Sequence, residues 1–147
     1  MAVIEVKPLV FKDIELVIGA VDAEDVATAD PDFRKHVDNV TCTPTSSTIT
    51  WTGLGLNTFT DVQTATWAMT LGGAQDWDSP TSLARFLYEH EGETRPYELR
   101  PRAGAGPSFK GRLVVTPGAI GGAVNAVAPF SVTLGLTGKP ELVAAGA

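Results

Sequence analysis

Apolar and polar positions alternate with a period of two along most of this chain. In residues 64–71, Ala65, Trp67, Met69 and Leu71 fall on one side and Thr64, Thr66, Ala68 and Thr70 on the other. That spacing predicts a strand with one face to bury. Tyr97 and Leu99 oppose Glu98 and Arg100 in the same way, and Phe109, Gly111, Leu113 and Val115 oppose Lys110, Arg112, Val114 and Thr116. A late strand sets Phe130, Val132, Leu134 and Leu136 against Ser131, Thr133 and Gly135. Near the start, residues 14–19 are β-branched enough to read as a strand. Residues 37–43 and 48–52 read as a hairpin joined by Pro44-Thr45-Ser46-Ser47, with Ile49 and Trp51 facing the core and Thr48, Thr50 and Thr52 facing away.

One segment has the helical period. Leu83, Phe86, Leu87 and His90 recur at i, i+3, i+4 and i+7, which predicts an amphipathic helix from Pro80 to Glu91. Ser79 is placed to cap it, Pro80 suits the first helical position, and Gly92 suits its end. The expected architecture is therefore a mainly β, two-layer antiparallel sandwich or barrel of six or seven strands with one packed helix. Residues 1–140 form one domain, and 141–147 a flexible tail.

The connections differ in character. Residues 22–32 are acidic and read as a solvated loop, because calcium-ligand spacing and its turn glycine are absent. Residues 53–63 read as a long loop that carries Leu54, Leu56 and Phe59, and apolar side chains on such a loop mark a contact surface. Residues 101–108 and 119–126 are rich in Gly, Pro and Ala and read as exposed loops. The opposite faces of the strands are dominated by Thr, which suits a solvated surface or a wet lining.

Composition narrows the function classes. The 147 residues suffice for a sizeable core, and a formal net charge of −6 argues against gripping nucleic acid by its phosphates. No apolar run approaches the roughly 20 residues that span a bilayer, and no secretory signal pattern opens the chain. The one cysteine, Cys42, excludes an internal disulfide and reads as a buried structural thiol. Asn39-Val40-Thr41 matches a glycosylation acceptor, read as chance without a secretion signal. His90 continues the helix stripe, and His36 lacks the companions a zinc site needs. Asp76 and Asp78 flank Trp77, as in some glycosidase sites, but acids just before a helix are favoured by its dipole. No catalytic, cofactor or metal set emerges.

The order of certain segments carries a resemblance. They are residues 33–37 (FRKHV), 40–44 (VTCTP), 50–54 (TWTGL), 74–77 (AQDW), 82–87 (SLARFL), 96–101 (PYELRP), 109–113 (FKGRL), Gly121-Gly122 and 130–140. Together they span roughly residues 12–140, and their order and spacing resemble the major tail (tail tube) proteins of long-tailed phages infecting actinobacteria and related hosts. The 22–32 segment is longer than is usual there. The resemblance implies a non-enzymatic virion protein, without cofactors, assembled in the host cytoplasm. It implies hexameric rings that stack around a tape-measure protein, meet tail terminator and distal tail proteins, and later conduct double-stranded DNA. It implies no insertion of this chain into a membrane. By position, Leu54, Leu56, Phe59, Arg102, Ile120 and Val124 are the expected contacts between copies. Two rivals remain: the inner tube of a contractile injection device, and a carbohydrate-binding sandwich that would need Trp77 exposed.

Overall fold

The computed structural model describes residues 2–11, 13–27, 30–101 and 106–144. In chain order the elements are β1 (Glu15–Ile18), β2 (Val37–Thr45), β3 (Thr48–Thr52), β4 (Thr58–Val62), β5 (Thr66–Ala74), α1 (Leu83–Glu89), β6 (Thr94–Arg100), β7 (Ser108–Val114), β8 (Pro129–Gly135) and β9 (Glu141–Val143). All strand pairs are antiparallel. One sheet has the order β1-β6-β7-β9, a second β2-β5-β8, and β3 pairs with β4 alone.

The two larger sheets face each other across one core. Leu16, Ile18, Tyr97, Leu99 and Leu113 enter it from the first sheet, and Val40, Met69, Leu71, Phe130, Val132 and Leu134 from the second. These are the apolar partners in the alternations, so the expected mainly β sandwich with one helix is the architecture found. Tyr97 fits because its partner across the ladder is Gly111, where a Cβ would stand 3.1 Å from the Tyr97 hydroxyl. Burial raises the pKa of that phenol.

Helix α1 starts later than expected. Its cap is Ser82, whose hydroxyl accepts from Arg85 N and donates to the Asp76 carbonyl. Ser79 and Pro80 belong to the preceding turns, where Ser79 N and Asp78 N donate to the Asp76 carboxylate. Leu83 and Leu87 are fully buried, and Phe86 packs on Phe33 at 5.3 Å. At the helix end, Arg95 lies over the Phe86 ring and donates to Glu93 and the Gly19 carbonyl, tying the helix to β6.

Four further expectations are corrected. Residues 37–43 and 48–52 do not pair with each other: β2 pairs with β5, and β3 with β4. Half of the expected 53–63 loop is therefore strand β4, which with β9 brings the described strands to nine. Trp51 is 60% exposed rather than core, whereas Trp67 is half-buried against the core. The expected tail supplies Glu141–Val143 as an edge strand on β7, and residues 145–147 lie outside the described residues.

Candidate self-assembly surface

Strands β2 and β3 follow one another in chain, as do β4 and β5, so residues 37–74 form one long ribbon folded at 53–57. Its two halves are out of step by one residue. Ser46 and Ser47 separate the pairs Thr45↔Thr66 and Thr48↔Val62 on one side, while Gln63, Thr64 and Ala65 separate them on the other. An extra residue on one strand is a bulge, which bends the ribbon and changes which side chains share a face. Counting from Cys42, which faces the core, Trp51 falls on the opposite side of the strand. The outer half of the ribbon thus leaves the sandwich.

The result is a free arm. Neither β3 nor β4 contacts another strand or the helix among the described residues. Trp51 pairs with Phe59 and Ile49 with Asp61 on one face, and every residue of both strands is exposed. At the tip, Gly53 N donates to the Asn57 carbonyl at 2.8 Å, and Leu56 takes a positive φ of 65°. That left-handed position belongs to the tight turn that closes the hairpin, and it leaves the Leu56 side chain in solvent.

The expected contacts fall in two places. Leu54, Leu56 and Phe59 sit on the arm, and Ile120 and Val124 are exposed on the connection before β8. That connection is held by Gln75, whose amide donates to the Gly121 and Pro129 carbonyls while its oxygen accepts from Gly121 N at 3.0 Å. Arg102 lies outside the described residues.

The outer faces of the two sheets differ in charge. On β2-β5-β8 the cross-strand rows are Asn39–Gly72–Ser131, Thr41–Thr70–Thr133 and Thr43–Ala68–Gly135. Asp38 reaches its margin, over Gly72. On β1-β6-β7-β9 the rows carry Glu15 opposite Arg100, and Glu98, Lys110 and Glu141 in line. Arg100 donates to Glu98 at 2.7 Å, and Arg34 joins Asp13, Glu15 and Asp32, so these charges are largely paired.

The groups weighed for chemistry have structural employment. Asp76 is held below the usual carboxylate range by hydrogen bonds from Ser79 and Asp78. Trp77 is exposed, as the carbohydrate-binding rival requires, while its Nε1 donates to Gln75 at 3.0 Å and its ring meets Tyr88 edge-on at 6.1 Å. His90 Nδ1 lies 2.9 Å from Glu93, which also receives Arg95. Burial pushes the Cys42 thiol up to about 11, which suppresses its thiolate.

A feature that the alternation pattern did not reveal is a groove of about 560 Å³ at the mouth of the sandwich. Phe11, Cys42, Trp67, Phe109 and Leu142 line it, with Lys139 at its rim. The apolar run Leu9-Val10-Phe11 was its signal, since Leu9 and Phe11 both line it.

No protein-family model and no curated protein sequence matches this chain. Solved structures do. A chain in the virion of a native gene transfer agent particle aligns with a TM-score of 0.59 and 14% identity, covering 90% of this chain and 96% of that one. A chain in the tail of an empty gene transfer agent particle, refined helically with C6 symmetry, aligns with a TM-score of 0.60 and 15% identity over the same shares. At such identities the likeness shows a shared fold.

Proposed function

We propose that this chain is the repeating subunit of a phage-like tail tube, closing into six-membered rings that stack. The observation that carries the reading is the fold shared, along nearly the whole of both chains, with a protein of a sixfold tail. It supports a non-enzymatic, virion-borne role.

The sheet chemistry supports the same reading. In the sheet β2-β5-β8, strands β2 and β8 are the edges. Unpaired edges invite pairing with other chains, and closure into a ring satisfies them. The outer face of that sheet, almost free of charge, lines the channel. Phosphate contacts with Lys and Arg are what arrest DNA, so a Thr, Ser and Gly lining lets double-stranded DNA pass. The tape-measure protein fills the channel before that, and terminator and distal tail proteins meet the end rings.

Negative-stain electron microscopy and analytical ultracentrifugation of the concentrated chain test this. Annuli with sixfold averages, or tubes built from them, are expected. A chain that stays monomeric at every concentration overturns the proposal.

A further inference from the structure

The arm and the groove are both apolar, both uncovered, and both on the same chain. We infer that the Trp51/Phe59 face of the arm of one copy seats in the groove of a neighbouring copy, with Asp61 against Lys139. This rests on the ring-forming reading above and adds which surface of each copy meets which.

Several observations single out the arm as occupant. It is a preformed two-stranded ladder about 16 Å long, so ordering it on binding costs little conformational entropy. It offers two aromatic side chains on one face, flanked by Ile49, to a groove walled by Phe11, Trp67 and Phe109. Charge matches as well. Asp61 is the single charged residue between Ser46 and Ala65, and it lies on the Trp51/Phe59 face. Lys139 is the charged residue of the groove lining. Neither makes an ion pair among the described residues. A projection on one side and a socket elsewhere make a head-to-tail contact, which closes a ring or propagates along a tube depending on its rotation. The competing occupant is the apolar segment Val3–Val6, which has no backbone ladder of its own and carries Glu5.

Charge reversal and cross-linking test the docking on the full chain. Asp61→Lys and Lys139→Asp, each checked for native circular dichroism, should raise the concentration of half-assembly at least about tenfold, roughly what one close interfacial charge pair contributes. The double variant should return to within about threefold of the unaltered chain. Cys42 is the only native thiol and lines the groove, so Phe59→Cys should give a ladder of covalent oligomers under alkaline oxidation. Val6→Cys should not. Reversal variants that assemble like the unaltered chain overturn the docking while leaving the ring reading intact. A ladder from Val6→Cys with none from Phe59→Cys also overturns it and assigns the groove to the N-terminal segment. If the unaltered chain forms no rings, both fall together.

Discussion

Ser47 and Gln63 hold each other by two hydrogen bonds across the base of the arm. Gln63 N donates to the Ser47 carbonyl at 2.9 Å, and Ser47 Oγ donates to Gln63 Oε1 at 2.7 Å. This pair splices the two out-of-step halves of the ribbon. It fixes the angle at which an otherwise unsupported hairpin leaves the body.

Gln63→Ala should remove the side-chain half of the splice with little effect on global stability, about 1 kcal/mol or less, because the bond is exposed. The backbone amides of 48–62 should then exchange faster with solvent deuterium. Unchanged protection there would mean the arm is held by its ladder alone.

Two serines three residues apart compete for the cap of the helix, and the structure assigns it to Ser82. Ser82→Ala should cost roughly 1–2 kcal/mol in urea unfolding, partly because the Asp76 carbonyl also loses its donor. Ser79→Ala should cost much less. The reverse order would return the cap to Ser79.

Gly73 sits beside the irregularity at the start of β2, where a Cβ would meet the His36 carbonyl oxygen. Gly73→Ala should destabilise by about 1–3 kcal/mol, since a backbone group must move. Gly135→Ala, where nothing lies within 4 Å of the added Cβ, should stay within about 0.5 kcal/mol of the parent. Thermal unfolding of the pair separates crowding from loss of backbone freedom.

Burial raises the Cys42 thiol from 9.0 to about 11. Below pH 9.0 the thiol is protonated in both folded and unfolded chains, and its contribution to stability is fully present. As pH rises through that interval the unfolded chain ionises while the folded chain keeps its proton, so stability falls. The urea midpoint should therefore decline on the alkaline side, and Cys42→Ala should lack that component of the slope. Maleimide labelling of the folded chain should also lag that of the unfolded chain.

Placing a cation on the uncharged sheet face tests its assignment as the channel lining. Thr133→Lys should leave folding and ring formation intact, because Thr133 is exposed. DNA retention by assembled tubes should rise at low salt and vanish at high salt. Retention equal to that of the unaltered protein would place this face on the outside of the tube.

The linear pattern of residues determined which positions are core and what kind of element holds most of them. Met69 and Leu71, Val132 and Leu134, and Leu83 and Leu87 are buried as their spacing requires, because side-chain direction within a strand or helix is a local property. Partnership is not local. Periodicity places Trp51 on one face of a strand but says nothing of which strand lies beside it, and β3 pairs only with β4, on a hairpin that meets no other strand of the sandwich among the described residues. The cap passed to Ser82 because the turn over residues 76–79 brings the Asp76 carbonyl to its hydroxyl, which helical spacing alone does not register. The groove likewise draws Phe11, Cys42, Phe109 and Leu142 from four distant parts of the sequence. Such a surface exists only when packing brings those parts together, so tertiary structure alone decided where it lies.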